Sequence, residues 1–222
     1  AAAQSGSYTV TVADGNAPSC SSTQSPAQVV TIQTPPATPT LSTSGNLVCA
    51  GTNVTLTSSA APNGGTYTWS KNGTIDATLT TQSIILSAAA QSGSYTVTTI
   101  DGNAPNCASV QSNSQAITLQ SIPTTPTITS SGSTVCEGTN VTLTSSAASG
   151  GGTYTWYKNG TIDATLTTQS IILNTAAQSG SYTVMVADGS APNCSSTQSL
   201  AQVVTIQTSP AAPTLSASSN LV

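Results

Sequence analysis

The sequence predicts an all-β chain built from tandem antiparallel sandwiches. Three observations carry that expectation. One block recurs without a slip: Cys20, Cys107 and Cys194 stand 87 residues apart, as do Cys49 and Cys136, and Trp69 and Trp156. Apolar residues alternate with threonine along short runs, the period of a half-buried strand. Turn-forming residues separate those runs, and no helical period is visible.

The repeat comes first because it sets the scale of everything else. The nine residues AAQSGSYTV end at Val10, Val97 and Val184. A longer period lies over the shorter one. Residues 1–48 match 175–222 more closely than they match the middle copy, so a two-repeat unit is the expected ancestor. Proline-rich joints, TPPATP at 34–39, IPTTP at 122–126 and SPAAP at 209–213, each follow a strand-like run. Proline cannot donate to a ladder and favours extended backbone, so these are short, semi-rigid links. The expected domains are 36–121 and 123–208. They are flanked by residues 1–34, the last strands of a partial repeat, and 210–222, the start of a further one.

Within one repeat the elements follow in order. In NVTLTSS, Val54 and Leu56 share a face opposite Thr55 and Thr57. Tyr67 and Trp69 alternate with Thr68. Asn72-Gly73 supplies the two positive φ angles of a hairpin turn. Ile84 and Leu86 point inward from SIIL; Tyr95 and Val97 do so from SYTVTTI, and Ile117 and Leu119 from QAITLQ. Six or seven such strands make an antiparallel sandwich, and Ser-Gly-Ser-Tyr within it resembles a motif of immunoglobulin-like folds. In that fold Ser-Gly-Ser-Tyr reads as the tyrosine corner, which places Tyr8, Tyr95 and Tyr182 in the structural core. Trp69 and Trp156 are then the central tryptophans.

Composition removes several functions. The chain has 222 residues, two Lys, no His, 4% charged residues and a net charge of −4. Two cations cannot neutralise a nucleic-acid backbone, so no nucleic-acid partner is expected. General acid–base chemistry most often uses His, and no nucleophile–base constellation is present, so the chain is not expected to be an enzyme. No apolar run approaches a membrane helix, so no membrane insertion is expected in this segment. No cofactor is expected. Calcium is a candidate at Asp101-Gly102-Asn103, but one carboxylate is thin for an ion that takes six to eight oxygens. Tyr157, which replaces Ser70 of the other copy, is expected to face outward as a candidate contact residue.

The motifs VCAGTNVTLTSS, YTWSKNG, SGSYTV and NAPNC together resemble the Ig-like and PKD-like repeats of secreted bacterial surface proteins. The giant adhesins of gliding Bacteroidota-type cells are the nearest likeness. The resemblance implies an extracellular, cell-surface location and a structural role in a fibre or adhesin stalk. Its partners would be neighbouring repeats, other copies of the chain, or a surface polysaccharide. A different reading makes the repeats themselves a carbohydrate- or surface-binding module.

Five cysteines in such a chain suggest disulfides: Cys20, Cys49, Cys107, Cys136 and Cys194. The two cysteine positions of antibody domains fall at Leu56 and Val97. Two pairings are open. Within a repeat Cys49 could join Cys107, if GNAPNCASVQSN folds back, and Cys136 could join Cys194. Alternatively Cys49 could join Cys194 in the next repeat. Ordinary sandwich topology puts Cys49 and Cys107 at opposite poles, a strand length apart, whereas bridged Cα atoms lie about 4.4–6.8 Å apart.

Overall fold

The computed structural model describes residues 4–216. The start of a further repeat expected at 210–222 falls partly outside them; residues 210–216 carry no strand. The chain divides into two compact units, Ala1–Leu119 and Gln120–Val222.

Unit 1 opens with β1 (Gly6–Tyr8) and β2 (Gln28–Val30), paired antiparallel. A sandwich follows: β3 (Leu41–Thr43), β4 (Leu47–Cys49), β5 (Val54–Ser58), β6 (Thr66–Lys71), β7 (Thr74–Ile75), β8 (Ser83–Leu86), β9 (Gly93–Ile100) and β10 (Gln115–Gln120). One sheet runs β3-β5-β8 and the other β4-β10-β9-β6-β7. Unit 2 repeats the plan with β11 (Ile128–Ser130), β12 (Thr134–Cys136), β13 (Val141–Ser145), β14 (Thr153–Lys158), β15 (Thr161–Ile162), β16 (Ser170–Leu173), β17 (Gly180–Ala187) and β18 (Gln202–Gln207). Its sheets are β11-β13-β16 and β12-β18-β17-β14-β15.

Each sandwich therefore has eight strands, not six or seven. The extra ones are β3 and β4, the two halves of a first strand that crosses from one sheet to the other. Three-residue strands are too short to display alternation, which is why the sequence hides them. The crossing is held locally: Thr43 Oγ1 donates to the Gly45 carbonyl at 2.6 Å, and the Thr118 amide donates to the Asn46 carbonyl at 2.7 Å.

Period-two strands put one apolar row on each inner face. In unit 1 Val54, Leu56, Ile84 and Leu86 face Trp69, Tyr95, Val97, Ile117 and Leu119. Unit 2 buries Val141, Leu143, Ile171 and Leu173 against Trp156, Tyr182, Val184, Val204 and Ile206. Leu56 and Val97 are each 0% exposed, so apolar packing occupies the place of the antibody disulfide. Trp69 and Trp156 are wholly buried, and their indole N–H groups donate to Thr81 and Thr168 carbonyls at 2.9 Å. Burial with a satisfied N–H is how a tryptophan sits in a core without penalty.

The tyrosine corner closes all three copies. Tyr8, Tyr95 and Tyr182 hydroxyls donate to Gln4, Gln91 and Gln178 carbonyls, each at 2.6 Å. Tyr95 and Tyr182 are buried. Tyr8 is not a core residue here, with 51% of it exposed. The opposing sheet that covers Tyr95 has no counterpart over β1 and β2 among the described residues.

The hairpin turn buttresses the corner. Asn72 and Gly73 have φ of 51° and 80°, as the sequence requires. Asn72 Oδ1 accepts from the Ser94 amide at 2.8 Å, and Lys71 Nζ donates to the Ala90 carbonyl. Lys158 and Asn159 do the same in unit 2. The two lysines are thus absorbed by the fold.

Candidate inter-repeat joint

The residues left over from core and corner collect at the two poles of each sandwich. In unit 2 the trailing pole, where β18 ends, carries Cys136: β12 pairs parallel with β18, and Cys136 lies opposite Gln207. The matching residues of the first sandwich are Cys49 at the end of β4 and Gln120 at the end of β10, on neighbouring strands. Because β10 meets β9 at Ile117↔Gly93, this pole lies at the start of β9.

The leading pole lies at the other end of β9, roughly 23 Å away at ~3.3 Å per residue. The chain leaves β9 at Asp101 and returns along its edge. Two serines zip it down. Ser109 and Ser112 each exchange two bonds with β9: their amides donate to Thr99 and Val97 carbonyls at 2.8 and 2.9 Å, and their Oγ atoms accept from the amides of those same residues at 3.0 Å. Ser196 and Ser199 do this in unit 2, and Ser22 and Ser25 in residues 1–34. The segment GNAPNCASVQSN thus turns back along β9 only after Cys107. The Asp101 amide donates to the Cys107 carbonyl at 2.9 Å and holds that cysteine at the leading pole. The Cys-x-Ser-x-x-Ser spacing is the signal that sequence reasoning missed.

Asp101 is the centre of the leading pole in unit 1. Its Oδ1 accepts from Asn63 Nδ2 at 2.9 Å and the Asn103 amide at 2.8 Å; its Oδ2 accepts from Gln33 Nε2 at 2.9 Å. These bonds, the Asn103 amide foremost, hold its carboxyl below the usual range. All three neighbours present N–H groups, which a calcium ion would have to displace. Gly102 is obligatory here, since a Cβ on it would lie 2.0 Å from the Asn63 carbonyl oxygen.

Unit 2 repeats the arrangement. Asp188 Oδ1 accepts from the Ser190 amide at 2.7 Å, and Oδ2 accepts from Gln120 Nε2 at 2.8 Å. Its carboxyl is likewise held low, chiefly by the Ser190 amide. Asn63 has no counterpart, because Gly150 takes its place. Cys194 belongs to this pole: Asp188 N donates to its carbonyl at 2.9 Å, and its Sγ lies 4.0 Å from the Gln120 carbonyl oxygen.

Among the cysteines, Cys49 and Cys194 are disulfide-bonded. Cys20, Cys107 and Cys136 carry free thiols. The within-repeat bonds Cys49–Cys107 and Cys136–Cys194 are absent because each pair is split between opposite poles. Cys20 is exposed beside β1 and β2, where no trailing pole lies against it among the described residues. Tyr157 lies on the outer face of unit 2 but is half-buried, its hydroxyl 3.1 Å from the Met185 sulfur.

The eight-strand topology, the buried tryptophan and the tyrosine corner meet in unit 2 with a sequence match. Residues 123–217 match the family model described as Ig-like domain, CHU_C associated.

Unit 2 has an Ig-like fold.

Unit 1 carries the same Ig-like plan from the same 87-residue block. No curated protein matches the chain. Several solved structures are similar. The three N-terminal domains of the bacteriophage RB49 highly immunogenic outer capsid protein match at 22% identity and a TM-score of 0.37, over 76% of this chain and 59% of that one. The human OSCAR ligand-binding domain matches at 21% identity and 0.36, over 78% of this chain and 100% of that one. Murine CEACAM1b matches at 18% identity and 0.42, over 76% and 100%.

Proposed function

We propose that this chain is a structural, non-catalytic repeat segment of a long extracellular bacterial fibre or adhesin stalk. The observation that carries the reading is a joint written twice. A glutamine at or just past the end of one repeat's last strand bonds the aspartate that follows the seventh strand of the next repeat, as Gln33 to Asp101 and Gln120 to Asp188. A contact renewed at every repeat is what a load-bearing array needs, because each module in such an array meets only its neighbours.

In this reading Cys49 pairs with Cys194 and covalently locks one repeat to the next. Three thiols are free and the within-repeat pairings would have to span a strand length, which leaves these two for each other. Gln120 belongs to the strand beside Cys49 and its carbonyl lies against Cys194 Sγ, which favours the same pairing. Domains 36–121 and 123–208 are then strung on proline joints as an extended array. Non-reducing peptide mapping tests the lock: a Cys49–Cys194 peptide is expected, and any other partner for Cys49 overturns it. Electron microscopy of the native object tests the role, with thin beaded filaments expected and dispersed globular particles fatal to the proposal.

One observation favours a surface-polysaccharide partner instead. Tyr157 and Met185 replace Ser70 and Thr98 at adjoining positions of otherwise matching sheet faces. Glycan binding that Tyr157→Ala abolishes would establish that reading.

A further inference from the structure

We infer that the bond between Cys49 and Cys194 takes both cores off the path of tension, and that its reduction puts them back. The inference rests on the pairing of these two cysteines read above. Such a bond closes residues 50–193 into a loop. Tension applied before Cys49 and after Cys194 crosses the bond and does not enter that loop. The loop holds β5 to β17, with Trp69 and Trp156 in the two cores.

What stays on the path is one pass through each sandwich. In the first it is β3 and β4, which run from the leading pole to Cys49 at the trailing pole. In the second it is residues 194–207, which leave the leading pole and run down one side of β17. The Ser196 and Ser199 amides donate to the Val186 and Val184 carbonyls at 2.9 Å; Gln202 and Val204 then lie opposite Tyr182 and Gly180. A strand already rises ~3.3 Å per residue, against at most ~3.6 Å for a fully drawn chain. Held at both ends, such a pass has roughly a tenth of its length to give. The pull runs along it and does not tear it from its sheet.

Without the bond the same tension enters a sandwich by its first strand and leaves by its last. In the second sandwich these are β11 with β12, and β18. There β12 lies parallel to β18 over Thr134↔Thr205, Val135↔Ile206 and Cys136↔Gln207. The pull then slides one strand against the other, and once those pairs part the core behind them opens. The bond is thus a redox switch between a tie that hardly stretches and two modules that do.

The switch is thrown by a dithiol. Its thiolate attacks one of the two bridged sulfurs, the bond between them breaks, and the other sulfur leaves as a thiolate and takes up a proton. The second sulfur of the dithiol displaces the first cysteine. The dithiol ends oxidised to a cyclic disulfide, and both cysteines end as thiols. Because the bond lies on the path, tension stretches it and reduction quickens with the pull.

The test stretches single molecules of the whole chain by handles at its termini. Before dithiothreitol is added, no sandwich-sized step is expected. Afterwards two steps are expected, each of about 25 nm, one sandwich drawn out at ~3.5 Å per residue less its folded span. They should come sooner the harder the chain is held. Cys49→Ser should show both steps with no reductant. Non-reducing peptide mapping of the same sample reports the linkage, and absence of a Cys49–Cys194 peptide sinks the pairing beneath. With that peptide present, a reduction rate that ignores the pull means that other contacts carry the load, and it overturns the inference. A Cys49→Ser chain that gives no steps overturns it as well.

Discussion

The Tyr182 hydroxyl donates to the Gln178 carbonyl oxygen at 2.6 Å, four residues back along the same chain. That short loop fixes where β17 begins, on an interior strand of the sheet. Tyr182→Phe keeps the ring but leaves the Gln178 carbonyl without its donor. It should cost unit 2 about 0.5–1.5 kcal/mol, read from urea unfolding, and Tyr95→Phe should cost unit 1 the same. Trp156→Ala, which empties the centre of the same core, should cost about 3–5 kcal/mol. Equal effects of the two substitutions in unit 2 would mean that the corner, and not the core, governs its stability.

Burial, helped by the nearby Asp163 charge, pushes the Tyr182 phenol up to about 12. A group whose pKa is raised on folding adds stability that is complete below its unfolded value of about 10 and is lost as pH rises through the folded one. Unit 2 should therefore weaken between about pH 10 and 12, with tyrosinate absorbance rising together with unfolding. Tyr182→Phe should flatten that alkaline loss.

Asp101 and Asp188 titrate in the opposite sense. Hydrogen bonds hold both carboxyls below their ordinary value. Their contribution is present above the unfolded pKa of about 3.9 and fades as pH falls through the lower folded value. Chemical-shift titration should show both carboxyls protonating below exposed model carboxyls. Gln33→Ala should move Asp101 upward and leave Asp188 where it was.

Ser109 and Ser112 satisfy amides inside the sandwich. Replacing either with alanine leaves the Thr99 or Val97 N–H without its acceptor, at a cost of about 1–3 kcal/mol. Hydrogen exchange should speed at that one amide and not along β10. Uniform acceleration across the unit would show that the serine edge is dispensable.

Gly102 passes so close to the Asn63 carbonyl that a methyl group cannot enter without moving the backbone. Gly102→Ala should destabilise unit 1 by about 1–3 kcal/mol in denaturant unfolding, the range for overpacking. An alanine protein as stable as the parent would mean that the leading pole is looser than its hydrogen bonds imply.

The sequence by itself determined the module. A period of 87 fixes the unit, because copies of one block must fold alike. Alternation fixes which side of each strand is apolar, so Trp69, Leu56 and Val97 could be placed in a core, and Asn72-Gly73 on a hairpin, before any coordinates. Tertiary structure decided the contacts made at the poles. The crossing of the first strand from β3 to β4 and the serine edge along β9 rest on three-residue strands and side chain–backbone bonds, and the Gln120–Asp188 bond joins residues 68 apart in the chain. None of them leaves a periodic mark, since a polar contact is set by where strands end and not by how they alternate. The fate of the thiols follows from the same cause. Which cysteines can meet is a matter of which pole each occupies; the expected topology already set Cys49 and Cys107 apart, and the path of residues 101–112 settled that Cys107 stays there.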